Sequence, residues 1–243
     1  MKKKLIIARN TGLFKKEGKR KDADISNIKE KLNIYEDKDK FMLGNVLPDI
    51  YSGHIIKNVS KIVEYEISHY RSQIIINGGK FFLPDYDMFK NIHMEVLNDS
   101  LILGYLTHLI TDNFFNKYTY TNCCLIDDKG EVCGIKTKKN EVLNCNRKTM
   151  SRMKQEDFAA FDKMIKLDKC NFSYTSDIFD SLKKLQTFNV EKEDMLKVIN
   201  YLNSLTFTQD NNKTSPLILF SKETLDKMIE ECSDFILGYI NRI

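Results

Sequence analysis

Apolar side chains recur at helical spacing through most of the chain, which predicts a mainly α-helical fold. After position 149 they recur three and four positions apart, a period that places them on one face of a helix. Residues 101–115 are apolar on almost all sides, so a helix over residues 100–118 is expected to be buried. The pattern near the C-terminus predicts four further helices, at residues 150–167, 176–185, 191–205 and 221–243.

Weaker patterns extend the helical prediction toward the N-terminus. Residues 24–32 and 38–46 have the apolar spacing of short helices, and Pro48 is expected to end the second one because the residue before proline disfavours helical geometry. Residues 86–96 predict another helix. Residues 10–24 are rich in Lys, Gly and Asp without periodicity, which is typical of a loop.

Two stretches favour β structure. Residues 54–59 and 73–77 have strand-like composition, although their assignment is ambiguous, and a loop is expected at Gly78-Gly79. Residues 122–145 predict a β-hairpin inserted into an otherwise helical domain. The chain is therefore expected to form a single helical domain over residues 1–243 with an inserted β-hairpin.

Composition changes the predicted fold little, but it argues against nucleic-acid binding, export and a membrane span. Apolar content of 42% and charged content of 30% are ordinary for a soluble globular protein. The formal charge is +4 with lysines spread along the chain, so charge does not indicate nucleic-acid binding. The apolar stretch at residues 5–8 is too short for a signal peptide, and residues 101–115 are too few to span a bilayer. We therefore expect a cytoplasmic protein.

Cysteine usage agrees with that location. Without an export signal, the cysteines are expected to be reduced thiols. Their spacing matches no zinc-ribbon pattern, so a structural zinc site among them is disfavoured. The six cysteines are Cys123, Cys124, Cys133, Cys145, Cys170 and Cys232.

Histidines supply the most informative chemistry. All four lie between positions 54 and 108. His108 and Asp112 are four residues apart on the buried helix, so they lie on one face, about 6 Å apart along its axis. A buried carboxylate is costly unless it is paired or ligates a metal. The pair could therefore be a hydrogen-bonded core feature or half of a metal site.

The middle of the chain resembles the zinc-dependent phospholipase C family, whose mostly helical fold is shared with certain zinc-dependent single-strand nucleases. In that family a Pro-Asp turn, a downstream histidine and a Gly-x-x-x-His-x-x-x-Asp helix converge on a zinc ion. The resemblance implies a multi-helix single domain in which Asp49, His69, His108 and Asp112 are the metal ligands. The matching segments are Gly44-Asn45-Val46-Leu47-Pro48-Asp49-Ile50, His69-Tyr70 and Leu103-Gly104-Tyr105-Leu106-Thr107-His108-Leu109-Ile110-Thr111-Asp112.

Departures from the family pattern predict a reduced site. Its members hold three zinc ions, one of them through the mature N-terminal residue and a nearby histidine, but no histidine precedes His54 here. Another site uses histidines and a glutamate beyond the metal-binding helix, where this chain has Tyr118 and no later histidine. One ion is therefore expected. Two imidazoles and two carboxylates suit zinc, and also manganese or ferrous iron.

Three functions follow from this reading. If one coordination position stays open, a bound water could attack a small-molecule or lipid phosphoester, with Asp49 as the base that the resemblance implies. If protein fills all four positions, the ion is structural and the chain is a non-catalytic binding or scaffold protein. A plain helical interaction module, with incidental histidines, is the third reading. The sequence leaves the oligomeric state open.

Sequence motifs of two other hydrolase classes are missing from the chain. No histidine is followed directly by aspartate, as an HD-type phosphohydrolase requires, and no Gly-x-Ser-x-Gly is present. His93 is expected in a surface polar cluster with Glu95 and Asp99 nearby or, less simply, as a partner of a metal ligand or part of a weak second metal site. His54 reads as a loop residue or an extra ligand. The tyrosines crowded into this region are expected to be core or rim aromatics, or to line a lipid or base pocket; they are Tyr65, Tyr70, Tyr105, Tyr118 and Tyr120.

Overall fold

The long apolar segment forms the central helix of a mainly helical fold, as predicted. The computed structural model describes residues 37–53, 56, 58–164, 171–204 and 216–243. Within them the helices are α1 Lys38–Gly44, α2 Tyr65–His69, α3 Tyr86–Ile92, α4 Ser100–Asn122, α5 Arg147–Met164, α6 Ser176–Lys184, α7 Lys192–Ser204 and α8 Lys222–Ile240. Short 3-10 helices cover Leu47–Asp49 and Met94–Val96. The strands are β1 Arg71–Ile76, β2 Gly79–Pro84, β3 Cys124–Ile126, β4 Val132–Lys136 and β5 Val142–Asn144.

Helix α4 is buried because its sequence is apolar around its first three turns. All residues from 101 to 111 are buried, and helices α1, α3, α6 and α8 pack around it. Asp99 caps its N-terminus by accepting a hydrogen bond from the Leu101 amide at 3.0 Å. Burial by itself would raise the pKa of Asp99, but hydrogen bonds from Lys184 and Ser181 of α6 hold it below the ordinary value.

The hairpin formed by β1 and β2 directly follows α2. Its antiparallel register pairs Arg71 with Pro84 and Ile76 with Gly79. Asn77 and Gly78 both have positive φ, 51° and 84°, which is the geometry of the tight turns that favour Asn-Gly. Strand β2 was not predicted from its own apolar run, although this Asn-Gly pair after a β-branched run is a strong hairpin signal.

The predicted hairpin within 122–145 is confirmed and carries an extra strand. Strands β3, β4 and β5 form one antiparallel sheet in that order. Strand β5 has only three residues, and all of them are exposed. So short a segment shows no alternation of apolar and polar residues from which a strand could be predicted. The structure describes three residues of the strand-like stretch 54–59. None of these three, Ile56, Asn58 and Val59, lies in a strand.

The predicted helices after position 149 are present, with shifted ends. Helix α5 begins at Arg147, earlier than expected. Residues 165–167 lie outside the described residues, as do the predicted helix 24–32 and the predicted loop 10–24. The predicted helix 86–96 is shorter, because α3 ends at Ile92 and a separate 3-10 turn follows His93.

The buried apolar side chains of these elements form one cluster around α4. Asp157 of α5 holds the segment before α8 against α5. Its carboxylate accepts hydrogen bonds from the amides of Ile218, Leu219 and Phe220. Among the described helices, none has both the length and the apolar content that crossing a membrane requires.

Candidate metal centre

Three separate elements deliver side chains to one point beside α4. Asp49 ends the 3-10 turn Leu47–Asp49, and His69 is the last residue of α2. His108 and Asp112 lie one turn apart on α4. Pro48 lies in the first turn of the 3-10 helix that presents Asp49, where a proline is tolerated because its missing amide hydrogen would have no helical partner.

The imidazole and carboxylate atoms approach at distances that suit one cation. The two Nε2 atoms of His69 and His108 are 3.2 Å apart. Asp49 lies 3.6 Å from His69 and 3.7 Å from His108, and Oδ2 of Asp112 lies at the same two distances. Ligands at zinc bond lengths of about 2.0–2.2 Å on a tetrahedron are about 3.3–3.6 Å apart. Asp49, His69 and His108 thus form a group that could hold a metal ion.

Hydrogen bonds on the far side of each ring orient the two imidazoles. Nδ1 of His108 lies 2.7 Å from the carbonyl oxygen of Asn45, and a carbonyl only accepts, so Nδ1 donates. In the neutral ring the lone pair is then on Nε2, which faces the site. Nδ1 of His69 has the Ser68 hydroxyl as its partner at 2.9 Å, which permits the same tautomer.

Aromatic side chains fix His69 in place. The Tyr65 ring stacks on the His69 imidazole, with centroids 3.9 Å apart and planes 14° apart. The buried Tyr105 hydroxyl donates to the carbonyl of Ser68 at 2.5 Å, which ties α2 to α4. Helix α2 then ends because Tyr70 adopts a left-handed conformation with φ 51°.

The site is buried on its imidazole side and open on its carboxylate side. His69 and His108 are fully buried, whereas the side chains of Asp49 and Asp112 are 23% and 16% exposed. Desolvation raises the pKa of Tyr65 far above its ordinary value, and the negative charges of Asp112 and Asp49 raise it further. A cation held by Asp49 and Asp112 would offset the negative charges of these two carboxylates.

A close crossing of α1 and α4 places Asn45 against His108. A Cβ atom added to Gly104 would lie 2.1 Å from the Phe41 carbonyl oxygen, and one added to Gly44 would lie 2.1 Å from that of Leu101. Only glycine fits at both positions. The crossing therefore explains why the motif that carries His108 begins with glycine.

We expect Gly104→Ala to destabilise the protein by about 3 kcal/mol or more, because the added methyl group meets backbone atoms that cannot move aside. Gly238→Ala in α8 is the matched control, since a Cβ there has no neighbour within 4 Å. That change should stabilise the protein by about 0.5–1 kcal/mol. Urea unfolding of both variants measures the two effects, and equal stability would contradict the crossing.

His93 does not join the site, and its predicted surface location is wrong. It is fully buried, and it stacks on Phe89 with centroids 4.1 Å apart. Nδ1 lies 3.0 Å from the Phe89 carbonyl, and Nε2 accepts from the Gln186 amide at 3.1 Å. Both ring nitrogens therefore serve the fold, and burial lowers the pKa of His93. His54 lies outside the described residues.

Cysteines make no metal group in the described part of the chain. Burial raises the pKa of Cys123 and of Cys124 to about 11. A thiol with such a pKa is a poor source of the thiolate that metals bind. Cys170 lies outside the described residues.

Comparison with known proteins yields no match to any family, curated protein or solved structure. The resemblance to zinc-dependent phospholipases C thus stays a prediction based on residues 44–112. Sequence reasoning missed the side chains that orient the ligands. For Ser68, its position directly before His69 was the one available signal.

Proposed function

We propose that the chain is a metal-dependent hydrolase of phosphoesters that uses one divalent cation, with zinc as the first candidate. The four ligands would be Asp49, His69, His108 and Asp112. The observation that supports this most directly is the approach of both imidazole nitrogens to within 3.2 Å of each other, with carboxylates beside them. Two neutral imidazoles and two carboxylates are a donor set for zinc, manganese or ferrous iron.

The residues would have separate tasks in the reaction. His69 and His108 would hold the cation rigidly, since their rings are buried and anchored on the far side. The cation would supply Lewis acidity, which polarises a phosphoryl oxygen and makes a water molecule more acidic. Asp49, on the exposed side, would hold the cation through one carboxylate oxygen and accept a proton from the attacking water at the other. With four protein ligands in place, turnover would require the cation to accept a fifth ligand. Asp112 would remain a ligand.

A non-catalytic protein with a structural ion is the second candidate. Four side chains are enough to close a tetrahedral shell, and closed shells are typical of structural zinc. The partial exposure of Asp49 and Asp112 favours the catalytic alternative, because solvent reaches the carboxylate side. In a plain interaction module nothing would require Asp49 and His69 to lie beside His108, as they do.

Metal content and turnover decide between these functions. The untagged protein should contain about one equivalent of zinc, manganese or iron by elemental analysis. It should also hydrolyse bis-p-nitrophenyl phosphate or p-nitrophenyl phosphate, and lose that activity on chelation. Tight metal with no turnover on either ester would select the structural ion, and no metal after incubation with each cation would remove both candidates.

A further inference from the structure

A groove of about 310 Å³ lies where α3 and α8 pack against α4. Lys117, one of its lining residues, follows His108 by nine positions, which is about two and a half helical turns. The groove and the metal ligands therefore lie on opposite sides of α4. We call this feature the α4 groove; its lining includes Tyr86, Ile110, Phe114, Lys117 and Phe235.

The two ends of the α4 groove differ in polarity. At one end, beside Ile110, the rings of Phe114 and Phe235 lie with centroids 6.3 Å apart, and Tyr86 lies 6.4 Å from Phe235. Asn113 also lines this end, but its side-chain amide donates to the Pro84 carbonyl at 2.7 Å. Polar side chains line the other end, namely Lys117, Thr121 and Asn122. This division favours a ligand with an apolar body and a polar head.

Lys117 supplies the charge of the polar end. It is exposed, and no carboxylate in the described part of the chain pairs with it. Burial raises the pKa of the neighbouring Tyr118 most, and the negative charge of Glu231 raises it too, but Glu231 is ion-paired with Lys227 at 3.5 Å. The ammonium group of Lys117 is therefore available to an anionic head group.

The dimensions of the α4 groove suit a medium-length alkyl chain. An apolar cavity of about 150 Å³ holds benzene, so about 310 Å³ corresponds to about twice as many non-hydrogen atoms, or about twelve. Ile110 and Lys117 are seven residues apart, which is about 10 Å along the axis of α4. Because the lining extends along the helix, an elongated ligand fits it better than a compact ring does.

We propose that the α4 groove binds a medium-chain fatty acid, with the alkyl chain against Ile110, Phe114 and Phe235 and the carboxylate at Lys117. Burial of the chain supplies most of the affinity, about fourfold for each methylene group. It also covers Phe235, which is 38% exposed without a ligand. The charge-assisted contact with Lys117 selects an acid over an uncharged alcohol. The proposal is independent of the hydrolase proposed above.

Titration calorimetry with octanoate on the full-length protein tests the α4 groove. We expect one saturable site, and butanoate, which has four methylene groups fewer, should bind at least about 100-fold more weakly. Lys117→Gln should weaken octanoate binding about three- to tenfold and change the affinity for 1-octanol by less than about twofold. Phe235→Ala should weaken the binding of both ligands by at least about fivefold, because it removes one wall of the groove.

Two matched controls lie outside the α4 groove. Lys80→Gln removes the charge of another exposed lysine, on β2. Phe179→Ala removes another exposed ring, since Phe179 on α6 is 43% exposed. Each control should change the affinity for octanoate by less than about twofold.

The outcomes separate the α4 groove from the metal centre. Absence of saturable octanoate binding would overturn the proposal, as would affinities that Lys117→Gln and Phe235→Ala leave unchanged. Loss of octanoate binding in a folded His108→Gln protein would contradict the separate location of the groove. Octanoate binding that depends on Lys117 in a protein that takes up no zinc would support the groove and remove only the hydrolase. Should Phe235→Ala fail to fold, Lys117→Gln decides, because Lys117 is exposed.

Discussion

His108→Gln and Asp112→Asn will each lower metal affinity by at least about 100-fold and reduce phosphoester turnover to background. Loss of a group that merely orients a ligand costs about 10- to 100-fold, so loss of a ligand should cost more. Both substitutions keep a polar side chain of similar size, which limits the damage to packing. Competition with a metal-binding dye measures the affinity, and release of p-nitrophenol measures turnover.

His93→Gln is the matched control for His108→Gln. Both histidines are fully buried, and both bond a backbone carbonyl through Nδ1, but only His108 faces Asp49 and Asp112. The control should lose about 1–3 kcal/mol of stability, because the Phe89 carbonyl and Gln186 amide lose their partner, and it should keep its metal. Equal metal loss in both variants would show that unfolding, and not ligand removal, causes the effect.

Removal of the metal will lower the melting temperature of the wild-type protein by about 5–11 °C. At a free metal concentration 100 times Kd, binding stabilises the native state by about 2.7 kcal/mol, and each kcal/mol corresponds to about 2–4 °C for a chain of this size. The physical cause is the close approach of two carboxylates and two imidazole nitrogens, which a bound cation would join together. Calorimetry on chelated and reloaded protein gives the shift.

Magnesium is the control ion, because it prefers oxygen ligands and should restore little of the stability. The shift on adding zinc should also vanish in Asp112→Asn. If the wild-type protein melts at the same temperature with and without zinc, manganese and iron, the four side chains do not bind a cation in the folded state.

Short-range patterns predicted the helices well, because each pattern lies within one element. The apolar run at 101–115 specifies the buried helix α4, and the spacing of His108 and Asp112 places both side chains on one face of it. The turn at Asn77-Gly78 could also be predicted from the sequence, because Asn-Gly is a preferred pair for a tight turn with positive φ angles.

Features that depend on contacts between distant elements could not be predicted from sequence. The bond from His108 to the Asn45 carbonyl exists because Gly44 and Gly104 let two backbones meet. His93 is buried because its ring stacks on Phe89 and its Nε2 accepts a hydrogen bond from the amide of Gln186, which is 93 positions away in sequence. Neither the bond from His108 to Asn45 nor the burial of His93 can be recognised from the residues next to it in the sequence.

A crystal structure of the zinc-soaked protein, with anomalous data collected above and below the zinc absorption edge, tests the central claim most directly. We expect one anomalous peak about 2.0–2.2 Å from Nε2 of His69, Nε2 of His108 and the carboxylates of Asp49 and Asp112. A map without density between these four side chains, or with zinc bound only elsewhere, would contradict the account.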